Sequence, residues 1–149
     1  MHARPYLDKD WVAVREIYDL SKPDELRGLV EASAIPPLES DPEMLVLFRD
    51  SQIVVMEDAG RIIGFCGNRG TVITWLFVHP EHRRKGVARA LVQGMLARLD
   101  GTMTLNVATT NVAACNLYQH VGFTIEREFI GHFHGHSCPT AKLRYDKAD

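Results

Sequence analysis

The chain has 149 residues, 46% of them hydrophobic and 24% charged, with a formal net charge of -2; this length suits a single domain over residues 1–149, and a slightly acidic balance excludes a general nucleic-acid binder, whose domains are clearly basic. Its three cysteines, Cys66, Cys115 and Cys138, form no Cys-x-x-Cys pair, which argues against a disulfide framework or cysteine-held zinc and for a reducing, cytoplasmic setting. The N-terminus has no apolar leader-like core and no apolar run reaches membrane-spanning length, so the sequence reads as soluble, with no membrane partner.

Arg4 to Leu7 reads as a short first strand. Asp8 is the expected N-cap of a helix through Leu20 with Trp11, Val14, Ile17 and Tyr18 on one face, and Ser21-Lys22-Pro23 is expected to interrupt it. Asp24 to about Ala34 reads as a second helix that Pro36-Pro37 ends, and Asp41-Pro42 opens another turn or two with Leu45 and Phe48 inward. Three strand-like runs follow, Ile53 to Met56, Arg61 to Cys66 and Thr71 to Val78, separated by turn residues and so expected as an antiparallel meander.

Ala88, Leu91, Val92, Met95, Leu96 and Leu99 then recur at helical spacing until Asp100-Gly101 stops the helix. Met103 to Ala108 is a strand expected to lie parallel to the strand before that helix, because a helical crossover joins them. Asn111 caps a short helix carrying Ala114, Leu117, Tyr118 and Val121, and Gly122-Phe123 closes it. Two final strands, Phe123 to Ile130 and Ala141 to Tyr145, are expected to flank a loop over residues 131–139.

The stretch between the third meander strand and the following helix, Val78-His79-Pro80-Glu81-His82-Arg83-Arg84-Lys85-Gly86-Val87-Ala88, holds the most chemistry. The first turn of a helix leaves backbone N–H groups unpaired, and the helix dipole adds partial positive charge there, so a glycine-containing turn is a ready anion cradle. Arg83, Arg84 and Lys85 add formal charge suited to a pyrophosphate. Taken by itself, such a turn reads as a surface loop whose cations are solvated. Asn111 and Tyr118, taken by themselves, are a helix cap and a half-buried aromatic.

The two segments together change the reading. Arg83-x-x-Gly86-x-Ala88, after a strand closing on Val78, resembles the acetyl-coenzyme A signature of the GCN5-related N-acetyltransferases. The segment from Asn111 through Ala114, Leu117, Tyr118, Gly122 and Phe123 is similar to that family's Asn-x-x-Ala-x-x-Leu-Tyr-x-x-x-Gly-Phe motif. The resemblance covers nearly all the chain and implies the acyl-CoA N-acyltransferase fold: mixed α/β (α+β), with a mostly antiparallel central sheet flanked by helices. It implies acetyl-CoA as cosubstrate, no metal, and direct transfer of acetyl to an amine of a small molecule or a peptide, in a protein that sometimes dimerises through its last strand.

The resemblance also implies roles. Leu76, Phe77 and Val78 would pair with the pantetheine arm and supply an oxyanion N–H. The amides from Arg84 through Lys85, Gly86, Val87 and Ala88, with Arg83 beside them, would hold the pyrophosphate. Asn111 would bond to the pantetheine, and Tyr118 would protonate the departing thiolate as general acid. The general base has no counterpart: Thr71-Val72-Ile73-Thr74 and Leu105-Asn106-Val107 contain no carboxylate.

That gap keeps a non-catalytic acyl-CoA-sensing module of the same fold as an alternative. His132-x-His134-x-His136 offers another, a metal site, because three imidazoles on one face bind zinc; Gly131 and Gly135 favour a polar loop at the substrate side instead. Asp24, Glu25, Glu31, Glu39, Asp41 and Glu43 border the expected acceptor face, where a solvated charged surface is their simplest account. There is no phosphate-binding Gly-x-x-x-x-Gly-Lys-Ser/Thr loop, no Gly-x-Gly-x-x-Gly turn and no serine elbow, so nucleotide hydrolysis, dinucleotide redox chemistry and serine hydrolysis have no foothold.

Overall fold

A computed structural model describes residues 1–148. Its strands are β1 (His2–Pro5), β2 (Gln52–Asp58), β3 (Arg61–Arg69), β4 (Val72–Val78), β5 (Thr102–Ala108), β6 (Thr124–Phe133) and β7 (His136–Asp146), and its helices are α1 (Trp11–Glu25), α2 (Pro42–Arg49), α3 (Val87–Arg98) and α4 (Val112–Val121). The strands form one sheet in the order β1-β2-β3-β4-β5-β7-β6, antiparallel throughout except where β4 meets β5. This is the mixed, mostly antiparallel sheet expected from the sequence, and the parallel step falls where the α3 crossover demands it.

Apolar residues on both faces of the central strands require cover on both sides. On one face α3 and α4 enclose Met56, Ile63, Leu91, Val92, Met95, Met103, Leu105 and Leu143. On the other, α1 and α2 enclose Val14, Ile17, Tyr18, Leu38, Val55, Phe65 and Trp75. At Gly64, which pairs with Val78, an added Cβ would stand 3.0 Å from the Phe77 carbonyl oxygen and 3.1 Å from Val87 Cγ1. The bare backbone there lets the start of α3 lie close against β3 and β4.

Three expectations are corrected. The helix that begins at Trp11 does not stop at Ser21 but runs through Pro23 to Glu25. Proline disfavours a helix interior by about 3 kcal/mol, yet Pro23 lies within the last turn, and packing of Ile17, Tyr18, Ser21 and Lys22 into the protein holds that turn in place. No second helix spans residues 24–34. Leu26 and Val30 instead turn inward against Cys138, with Phe133 packed on the cluster, and only a single 3-10 turn, Ala32–Ala34, follows. The expected loop over residues 131–139 is a tight hairpin between β6 and β7, with His134 and Gly135 at its tip at φ 47° and 81°. Positive φ at both central residues is the geometry whose twist matches the flanking strands.

Candidate active site

β4 and β5 share one ladder pair, Val72 with Thr104, plus a bond from the Thr104 amide to the Thr71 carbonyl at 3.1 Å. Beyond it they part. A register shift opposite Gly67 and Asn68 leaves Thr74 as an extra residue on β4, and such a bulge bends and twists its strand. Thr74 is held there by a 2.8 Å hydrogen bond between its hydroxyl and that of Ser51. β5 meanwhile pairs with β7 from Thr102 to Ala108, so its other edge and the facing edge of β4 are left open to a cavity of about 700 Å³. Leu76, Phe77 and Val78 line one wall, and Leu105, Asn106 and Val107 line the other.

The basic turn lines the cavity through His82, Arg83, Arg84 and Gly86. A single 3-10 turn, Pro80–His82, is capped by the His79 ring, whose Nδ1 accepts the Glu81 amide at 3.1 Å. Arg84 and Gly86 then both adopt positive φ, 61° and 79°. Gly86 is the N-cap of α3, and nothing lies within 4 Å of the position its Cβ would take. Alternation of this kind turns successive N–H groups to one side, as in anion-binding nests, and here they join the free amides of the first turn of α3.

The lining from α4 is chemical rather than electrostatic. Asn111 Oδ1 accepts the Ala114 amide at 3.3 Å and so starts α4 at the cavity edge. Tyr118, on the next turns of α4, lines the cavity, is 6% exposed and packs edge-on against Phe123 at 5.5 Å between centroids. Its hydroxyl bonds to no described residue. Burial first, and the negative charge of Glu25 next, hold the Tyr118 hydroxyl well above the usual tyrosine range, so it stays protonated at neutral pH and is able to donate. Burial likewise pushes the Cys66 thiol up to about 12 and raises that of Cys115, so neither offers a thiolate nucleophile at neutral pH.

The last turn of α1 forms the third side; the sequence reading set Asp24 and Glu25 at the acceptor face only as solvated surface, and missed Ser21 and Lys22. Ser21 Oγ donates to the Val78 carbonyl at 3.1 Å, and Arg83 meets Asp24 at 2.6 Å, so two bonds fasten this turn to the end of β4 and the basic turn. The Arg83 guanidinium, and after it that of Arg27, holds the Asp24 carboxyl below the usual carboxylate range. Lys22 and Glu25 also line the cavity, with Lys22 Nζ 3.0 Å from Glu25 Oε2. Glu25 is thus a cavity carboxylate without an arginine partner. Neither β4 nor β5 provides one, and no local motif marks Glu25; only the unbroken α1 brings it in.

The cavity gathers Leu76, Phe77, Val78, Arg83, Arg84, Gly86, Val87, Ala88, Asn111 and Tyr118, but not Lys85, which is exposed and does not line it. Arg89, one turn into α3, lines it instead, and its spacing of three residues from Gly86 is the signal that would have found it. The three histidines do not converge. His132 pairs with Ser137 and His136 with Phe133 across the hairpin, while His134 Nε2 lies 2.7 Å from the fully buried Asp41. Among the described residues no three His, Cys, Asp or Glu side chains are grouped to hold a metal. No helix among them is long and apolar enough to cross a membrane.

Residues 49–125 match the family profile described as "Acetyltransferase (GNAT) domain". No curated protein matches the sequence significantly. Among solved structures, a GCN5-related N-acetyltransferase from Rhodopseudomonas palustris superposes with a TM-score of 0.82 at 17% identity, covering 98% of this chain and 95% of the other. The putative acetyltransferase yncA from Salmonella typhimurium, solved with its cofactor acetyl-CoA, gives 0.73 at 17% identity, covering 100% and 95%. A ribosomal-protein-alanine N-acetyltransferase from Brucella melitensis gives 0.73 at 15% identity, covering 99% and 100%. At these identities the likeness is one of fold.

Proposed function

The chain belongs to the GNAT family of acetyltransferases, and from that premise we propose that it moves an acetyl group from acetyl-CoA directly to an amine of a small molecule or peptide. The observation that carries the reading is the parting of β4 from β5 after one ladder pair, with the glycine turn and Tyr118 both lining the opening. The cavity suits the cosubstrate: open strand edges for an amide-bearing arm, and a nest with a vacant Cβ position at Gly86 for a pyrophosphate. The free thiols Cys66, Cys115 and Cys138 suit a reducing, cytoplasmic setting.

In this reading the open edge at Leu76 to Val78 aligns the thioester arm, and an N–H at Phe77-Val78 faces the carbonyl oxygen as it gains charge. The amides of Arg84 through Ala88 hold the diphosphate, with Arg83, Arg84 and Arg89 adding charge around them and Lys85 contributing only through its backbone. Asn111 holds the pantetheine chain. An alkylammonium, with an ordinary pKa of about 10, has to lose a proton before it attacks; Glu25 is placed to accept it, and Tyr118 donates to the departing sulfur. Glu25 supplies the carboxylate whose absence from β4 and β5 had kept a sensing module as an alternative, so it supports catalysis over sensing. The test is calorimetric titration with acetyl-CoA followed by thiol release in the presence of a panel of amines. Binding with amine-dependent thiol release is the expected result. Absence of binding refutes the proposal, and binding without release by any amine leaves sensing as the function.

A further inference from the structure

The acceptor side of the cavity already contains a primary ammonium on a straight alkyl stem, that of Lys22. The chain has five lysines, and Lys22 alone among them lines the cavity. Its residue is 8% exposed, whereas Lys9 and Lys85 are exposed and Lys142 and Lys147 are half-buried. Three aromatic faces surround its Nζ, with ring centroids at 5.1 Å for Phe133, 5.8 Å for Phe77 and 5.9 Å for Tyr18. Cation–π attraction of this kind is strongest when the cation is desolvated. A carboxylate completes the cage, Glu25 Oε2 at 3.0 Å.

The backbone under Lys22 is fixed. The neighbouring Ser21 is bonded to the carbonyl of Val78, and Asp24 is bonded to Arg83. The lysine stem is therefore held beside the end of β4, the wall along which the thioester arm would lie, and a paired carboxylate sits at the nitrogen. We propose that Lys22 is a site of self-acetylation, an amine acceptor built into the protein and modified in cis by the acetyl-CoA bound in the same chain. This rests on the function proposed above.

The step balances as the ordinary reaction does. Lys22 Nζ gives one proton to Glu25, which passes it to water, and the resulting amine attacks the thioester carbonyl. A C–N bond forms, the C–S bond breaks, and the second nitrogen proton is lost as the amide forms. Tyr118 protonates the departing sulfur and recovers a proton, so the products are Nζ-acetyl-lysine, free coenzyme A thiol and one proton. The neutral amide no longer pairs with Glu25 as an ion or attracts the aromatic faces as a cation. Glu25 is then released to serve an external amine.

Intact-mass measurement of the full chain incubated with acetyl-CoA, with peptide mapping, tests this, and calorimetry on the same samples reports binding separately. The expected result is a gain of one acetyl group at Lys22, with a first-order rate constant independent of protein concentration. Lys22→Arg should bind acetyl-CoA yet gain none, and Glu25→Gln should slow the gain about a hundredfold. Acetyl-CoA bound without any mass gain overturns the inference and leaves the proposed function standing. Acetylation of Lys9, Lys85, Lys142 or Lys147 ahead of Lys22, or a first-order rate constant that rises in proportion to protein concentration, also overturns it. Failure to bind acetyl-CoA at all overturns both.

Discussion

Replacing Gly86 separates the two physical contributions of the basic turn, shape and charge. Gly86 sits at φ 79°, and an added Cβ meets nothing within 4 Å, so Gly86→Ala adds no clash and costs only the left-handed backbone strain of an L-residue, about 1–2 kcal/mol of stability. Gly86→Glu carries the same strain and also places a carboxylate at the proposed diphosphate cradle. Two like unit charges 4 Å apart repel by about 1 kcal/mol in water and about 4 kcal/mol at the effective dielectric of a protein surface. Gly86 is exposed, so the lower part of that range applies to each phosphate charge. The expected loss of acetyl-CoA affinity is about ten- to a hundredfold relative to Gly86→Ala, since about 1.4 kcal/mol is a factor of ten. Calorimetric titration of both variants at low and high salt checks it, because added salt should narrow the difference. Equal affinity of the two variants at low salt would refute the placement of the diphosphate at this turn.

Tyr118→Phe should lower turnover about a hundredfold and leave acetyl-CoA affinity within a factor of about two, because the ring packing on Phe123 is kept and only the proton donor goes; steady-state kinetics beside calorimetry distinguish the two, and unchanged turnover removes the residue from the mechanism. The opposite holds at Tyr18, whose hydroxyl is buried without a partner among the described residues. Relieving an unsatisfied buried group should make Tyr18→Phe more stable by about 1 kcal/mol in urea unfolding, and a loss of that size would show that the hydroxyl is satisfied in solution. Arg4 grips Asp10 with two bonds of 2.8 and 2.9 Å, and this pairing, opposed by burial, holds the Asp10 carboxyl below the usual carboxylate range. A depressed folded value means the contribution is complete above the unfolded pKa of about 3.9 and fades as pH falls through the folded one. The melting temperature should therefore drop below about pH 4, and Asp10→Asn should lack that part of the acid dependence; an identical profile in the variant would contradict the assignment.

Local chemistry made much of this architecture readable from sequence. Strand-like runs separated by turn residues gave the meander, Asn111 and Asp41 gave caps whose side chains accept the Ala114 and Met44 amides, and helical spacing gave α3. What escaped was decided by contacts distant in sequence. Proline at position 23 is a sound reason to end a helix, but Ser21 bonds to a residue 57 positions away, and no window around Pro23 contains that bond. The same extension of α1 brings Lys22 and Glu25 to the cavity, so Glu25, read from sequence as part of a solvated acidic surface, is a cavity carboxylate. At the histidine segment the sequence reading favoured a polar loop, and only its extent, residues 131–139, was too long. Three alternating histidines share a face only on a straight strand, and the turn at His134-Gly135 folds the segment on itself and sends His134 to Asp41.

β7 comes after every other strand in the chain and yet lies inside the sheet, between β5 and β6. During synthesis, β1 through β4 with α1 and α3 can meet early, but β5 has one ladder pair with β4 and depends on β7 for its remaining partners. The second wall of the cavity is therefore assembled last, when residues 136–146 have left the ribosome and inserted between strands already made. Until then the nascent chain holds the glycine turn but not a closed cleft. Loss of the last ten or so residues of β7 would remove an interior strand rather than fray an edge, so such a truncation should cost the whole site and not merely its border.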